Sequence, residues 1–147
     1  MSGVMRGLTV FIGDIKNCPN KQAEQKRVQQ EMAKIRKQFT NKGISGYNKK
    51  KYVWKLIYIY MLGYEVDFGH NEAVNLINNI KFSEKCTGYI ATGILINETN
   101  SSILELAANS INNDILSNNE IYQSLALSTV GNIGNFTFNP ILLKHSF

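Results

Sequence analysis

The chain has 147 residues, 44% hydrophobic and 18% charged, which is one domain's worth of sequence with enough apolar surface for a real core. That balance excludes a disordered chain, and its two cysteines, Cys18 and Cys86, form neither a metal-ligand spacing nor a disulfide framework. The net charge of +5 is unevenly shared: residues 1–55 hold 13 Lys/Arg against three acids (+10), and residues 56–147 hold three lysines against eight acids (−5).

Helical periodicity dominates from the first residues onward. The opening "MSGVMRGLTVFIGD" carries one arginine and is broken by glycine and Asp14, too short and interrupted for a signal peptide. Met5, Leu8, Ile12 and Ile15 form a first apolar stripe, which stops at the turn signal "NCPN". Val28, Met32, Ile35 and Phe39 form a second, closed by "TNKGISG", with Lys26, Gln30, Lys34 and Lys37 as a basic stripe on the opposite side. A third helix is expected to begin at about Asn48 or Lys49, to bury Val53, Leu56, Ile57 and Tyr60, and to end at Gly63. Its apolar run "VWKLIYIYML" contains Lys55 and falls well short of the ~20 residues needed to span a bilayer.

Four further stripes follow. They are Ala73, Leu76, Ile77 and Ile80; Cys86, Tyr89, Ile90 and Ile94; Leu104, Ala107, Ala108, Ile111 and Ile115; and Leu125, Ala126, Val130 and Ile133. The connectors are short and rich in Asn and Gly, so neighbouring helices should be antiparallel. Apolar helices recur at 51–63, 86–98 and 124–136, a spacing of 35 and then 38 residues. A period of that size predicts an all-α solenoid of stacked helical hairpins. Residues 1–134 form this domain, and 135–147 read as a divergent apolar tail that caps it poorly. An uncovered apolar end predicts self-association or a need for a partner.

Several local motifs lead nowhere chemically. "DFG" at 67–69 matches a kinase magnesium triplet, but the glycine-rich loop, paired lysine and catalytic loop that a kinase requires are missing. His70 and His145 have no partners at ligand spacing. Asn97, Asn100 and Asn135 fit a glycosylation pattern in a chain with 18 asparagines and no secretory signal. The residues point to no enzyme, no metal and no cofactor.

The basic end is more informative. "GYNKKKYVWK" places Lys49, Lys50, Lys51 and Lys55 at the start of the third helix, where ammonium groups oppose the helix dipole but, with the helix amino terminus, seat a phosphate. Lys51 and Lys55 share a face, and the basic stripe of the second helix and Arg6 of the first could converge on them. Tyr47 and Tyr52 could donate hydroxyl hydrogen bonds to the same anion. A multiply phosphorylated headgroup suits this set better than a duplex, because no helix offers a base-reading array. A helical-repeat nucleic-acid-binding module is the alternative.

The segments "MRGLTVFIGDI", "AEQKRVQQEMAKIR", "GYNKKKYVWKL", "LGYEVDFGHNEAVNLI", "KFSEKCTGYI" and "NNDILSNNEIYQSLALSTVGNIG" together resemble, in order, the start of α-adaptin. That is the large α subunit of the plasma-membrane clathrin adaptor complex. The resemblance implies a right-handed HEAT/armadillo-like trunk acting in endocytosis and intracellular protein transport. It implies a peripheral location on the cytosolic side of the plasma membrane, in clathrin-coated pits. The implied partners are the phosphatidylinositol bisphosphate headgroup, a small σ-type subunit and other adaptor subunits, and the sorting-signal peptides of cargo.

By the same resemblance the phosphoinositide site comprises Arg6, Gly7, Tyr47, Lys49, Lys50, Lys51, Tyr52, Val53, Trp54 and Lys55. Three positions depart from the family pattern. Gln38 stands where a lysine is usual, and Trp54 replaces a smaller residue. Lys16 replaces an arginine of the cargo-signal site, keeping the charge but losing the guanidinium's fork geometry.

Overall fold

The computed structural model describes residues 5–95 and 101–133, with side chains at 102–130 in the second stretch. Among the described residues there are seven α-helices and no strand: α1 (Arg6–Lys16), α2 (Lys21–Phe39), α3 (Gly46–Met61), α4 (His70–Ile77), α5 (Phe82–Leu95), α6 (Ser101–Ile115) and α7 (Glu120–Ile133). The chain is thus all-α, with helices at every position the apolar stripes indicate. None of these helices is long and apolar enough to cross a membrane. The 135–147 tail, Asn97, Asn100, Asn135, His145 and the side chain of Ile133 lie outside the described residues.

Two compact units divide the chain, Met1–Gly69 and His70–Phe147. In the first, α1, α2 and α3 pack against one another. Asn20 caps α2 by accepting a 2.8 Å hydrogen bond from the Ala23 N–H, and Ser45 caps α3 by accepting one of 3.2 Å from Asn48. Three contacts fix α2 antiparallel to α3. The Tyr64 hydroxyl donates to Glu24 at 2.7 Å, Lys55 meets Glu31, and the Phe39 and Tyr52 rings stand edge to face at 6.1 Å. Helix α1 runs the same way as α3, with Gly7 facing Lys51 and the Phe11 ring 5.9 Å from that of Tyr58.

Because α3 is flanked by both α1 and α2, it buries a wider arc than one stripe. Tyr52, Val53, Leu56, Ile57 and Ile59 are all buried, whereas Tyr60, expected inside, is exposed. On α1 the anchor is Phe11, fully buried, which the expected stripe omits. The "DFG" segment closes this unit: Asp67 pairs with Arg36 at 3.3 Å, and buried Gly69 turns the chain at φ +87°. A Cβ at Gly69 would stand 2.5 Å from Leu56 Cδ1, so both the turn and the close packing require glycine here.

In the second unit α4 packs on α5 and α6, and α7 packs on α5 and α6. The most extensive packing is between α4 and α5 and between α6 and α7, so the hairpins are phased one helix later than the repeat spacing suggests. Val74, Ile77, Tyr89, Leu104, Ala107, Ala108, Ile111 and Ala126 form the core. Helix α5 lies close against the backbone of α4 at Gly88, where an added Cβ would lie 2.5 Å from the Ile77 nitrogen. That contact sets which face of α5 turns inward. Ala91, Thr92 and Leu95 are buried, while Ile90 is exposed. Ile80 is 88% exposed because α4 stops at Ile77 and leaves it in the connector.

Candidate functional site

Helix α3 begins at Gly46, not at Asn48 or Lys49, because Ser45 supplies the cap that a reading of "SGYN" as loop overlooks. The three consecutive lysines therefore occupy the second turn, where the dipole opposes them less. All three are half-buried. The Lys50 ammonium lies 5.4 Å from the centre of the half-exposed Tyr47 ring, and that of Lys51 lies 4.7 Å from the Tyr52 ring.

Gly7 is where α1 meets this helix. A Cβ there would come 3.1 Å from Lys51 Cδ and 3.7 Å from the Lys55 ammonium. The missing side chain lets the Lys51 stem cross α1, and it sets Arg6, exposed in the first turn, at the same end of the unit. The Lys51 ammonium is held below the ordinary lysine range, first by burial and then by the charges of Lys55 and Lys34. Positive groups from α2 and α3 thus converge beside α1.

Lys55 lies on the same face as Lys51, one turn further along α3, but is buried. Its side chain is 4% exposed, and its Nζ donates to Glu31 Oε1 at 2.5 Å. The second oxygen of Glu31 accepts from Arg27 at 2.7 Å, and Arg27 reaches Asp14 at 3.0 Å. Burial raises the Glu31 carboxyl, but the hydrogen bonds from Lys55 and Arg27 outweigh it and leave the group below the ordinary range. The result is an internal relay of alternating charges, Asp14, Arg27, Glu31 and Lys55, that ties three helices together. Glu31 carried no sequence signal for this role, because its partner lies 24 residues away.

The remaining expected site residues divide between core and surface. Val53 is fully buried and Tyr52 nearly so, its hydroxyl pushed up by burial and then by the Glu31 charge; Trp54 is half-buried. Lys16 stands exposed in the last turn of α1, roughly 14 Å along the helix from Gly7, and does not join the lysine cluster. Gln38 is half-buried near the end of α2.

A basic face on helical-repeat packing defines the class of protein, and comparison with known proteins gives its kin. Residues 24–145 match the adaptin N-terminal region, and the chain belongs to that family. It is 56% identical over 135 residues to the AP-2 complex subunit alpha-1 of Arabidopsis thaliana, covering 91% of this chain and 13% of that protein. It is 57% identical over 131 residues to the AP-2 complex subunit alpha-2 of Dictyostelium discoideum, covering 88% of this chain and 13% of the relative. With the AP-2 complex subunit alpha of Schizosaccharomyces pombe the identity is 48% over 133 residues, 90% of this chain and 15% of the relative. The chain thus spans about an eighth to a seventh of the length of these curated relatives.

Proposed function

We propose that this chain is the membrane-reading part of a clathrin adaptor subunit, acting in endocytosis and vesicle-mediated transport. In this reading it docks on phosphoinositide headgroups at the cytosolic face of the plasma membrane. The observation that carries the reading is the packing of Gly7 against Lys51, which gathers Arg6 with the head of the lysine-bearing helix. Arg6, Tyr47, Lys49, Lys50 and Lys51 offer charge and hydroxyl donors to a headgroup. Lys55, bonded to Glu31, together with Tyr52 and Val53, holds the helix that presents them.

Other adaptor subunits, a small σ-type subunit among them, are the protein partners this reading implies. Lys16 would meet the acidic residue of a sorting signal as a point charge, without the bidentate grip of an arginine. The test is sedimentation of the chain with vesicles containing phosphatidylinositol bisphosphate, beside phosphatidylserine vesicles of equal charge and a gel shift with RNA. Preference for the phosphoinositide is expected. Equal attraction to both vesicles reduces the face to a charged surface, and a tight, discrete RNA complex favours the nucleic-acid alternative.

A further inference from the structure

We propose that Lys34 of α2 is a further anion-binding residue, placing its ammonium on the same phosphate as Lys51 across the seam between α2 and α3. The inference rests on the headgroup-docking reading above and adds a ligand from a helix outside the lysine run. Its basis is the register of the two helices. Glu31 and Lys55 meet at 2.5 Å, and the flanking contacts of Glu24 with Tyr64 and Phe39 with Tyr52 fix the antiparallel direction. One turn back along α3 from Lys55 is Lys51; one turn forward along α2 from Glu31 is Lys34. Residues three or four apart share a helix face, so Lys34 and Lys51 occupy the next rung of the same ladder.

Two ammonium groups on facing rungs repel unless an anion lies between them. The carboxylate of the adjoining rung, Glu31, already bonds both Lys55 and Arg27. The Lys51 stem is held in place where it passes over Gly7, and Lys34 is exposed and able to swing toward it. A phosphate monoester, whose several oxygens accept from separate point-charge donors, fits that gap. The same chemistry comes from a lipid headgroup or from a soluble inositol phosphate.

The experiment compares the full chain with Lys34→Gln and with Lys81→Gln, an exposed lysine of the second unit that matches the charge change. Each is titrated calorimetrically with soluble inositol trisphosphate. Each is also sedimented with phosphatidylinositol bisphosphate vesicles and with phosphatidylserine vesicles of equal charge, circular dichroism confirming helicity. Lys34→Gln should bind the soluble headgroup and the phosphoinositide vesicles about fivefold more weakly, with Lys81→Gln near the unaltered chain on the soluble headgroup. If the unaltered chain does not prefer phosphoinositide over phosphatidylserine, the docking reading itself fails. If it does, and Lys34→Gln binds the soluble headgroup as well as the unaltered chain or Lys81→Gln does, Lys34 is not a ligand and the docking reading survives. A loss on vesicles alone also overturns the inference, since it assigns Lys34 only to general attraction.

Discussion

The ammonium of Lys85 donates a 2.6 Å hydrogen bond to the carbonyl oxygen of Ile77, the last residue of α4. The same ammonium lies 2.7 Å from Asp114 of α6 and 4.1 Å from the centre of the Tyr122 ring of α7. Asp114 also accepts from the Tyr89 hydroxyl, which burial and this carboxylate together push far above the ordinary tyrosine range. One lysine that is 2% exposed thus joins four helices and satisfies a helix-end carbonyl.

Replacing Lys85 by methionine keeps the stem but leaves Asp114 buried without its counter-charge and Ile77 without its donor. Breaking a buried pair from one side costs about 3–5 kcal/mol. Urea unfolding of Lys85→Met should show a transition midpoint shifted far to lower denaturant; an unchanged midpoint would show the pair to be dispensable.

Glu31 gives the first unit a dependence on acid. Its carboxyl is lowered in the folded state from 4.5, so the charged form is favoured by folding. The stability it contributes is present above pH 4.5 and is lost as pH falls through the lower folded value. Glu31→Gln should remove that acid-sensitive component. The variant should also cost about 3 kcal/mol at neutral pH by leaving Lys55 buried beside a neutral amide. Thermal unfolding of both proteins between neutral pH and pH 3 measures the two effects together; parallel pH profiles would refute the assignment.

The lysine run makes a binding prediction. Each basic residue near an anionic leaflet contributes on the order of 1 kcal/mol, so changing Lys49, Lys50 and Lys51 to glutamine should weaken phosphoinositide binding by about 3 kcal/mol, roughly a hundredfold. The fold should persist, since none of the three is fully buried. A variant with Lys21, Lys42 and Lys81 changed alters net charge equally and should lose far less. Binding by the unaltered chain should fall as salt rises. Equal losses in the two triple variants would show that no defined site exists.

Gly88→Ala places a methyl group within 2.5 Å of the Ile77 nitrogen and 2.8 Å of the Leu76 carbonyl carbon, both backbone atoms that cannot swing aside. Overpacking of this kind costs about 1–3 kcal/mol. A melting temperature lowered by several degrees is expected, and Gly13→Ala, where nothing lies within 4 Å, should not lower it.

Helix positions, helix faces and buried charges differ in how far the sequence alone reveals them. Helix positions are legible because apolar spacing survives in every segment; even the weak pattern at Leu125, Ala126 and Val130 marks α7. Faces are less legible, since the inward side of a helix depends on its neighbours. Ile59 and Tyr60 are adjacent and both apolar in character, and only the packing of α1 and α2 around α3 decides that the first is buried. Buried charges are the least legible. Lys55 and Lys85 read as surface cations, and nothing local distinguishes them from Lys51 or Lys81 until their distant partners, Glu31 and Asp114, are in place. Lys34 shows the converse: its basic stripe is plain in the sequence, but the rung it shares with Lys51 comes only from the register of two helices.

The internal relay has a thermodynamic consequence for any ligand of the basic face. All three carboxylates of residues 1–55 are engaged, Asp14 with Arg27, Glu24 with Lys21, and Glu31 with Arg27 and Lys55. A phosphate arriving at the proposed site would therefore displace mobile ions of the solvent and would not need to compete with Glu31 for Arg27 and Lys55. For a phosphate bound on this face, the release of ions and water would then supply much of the driving force.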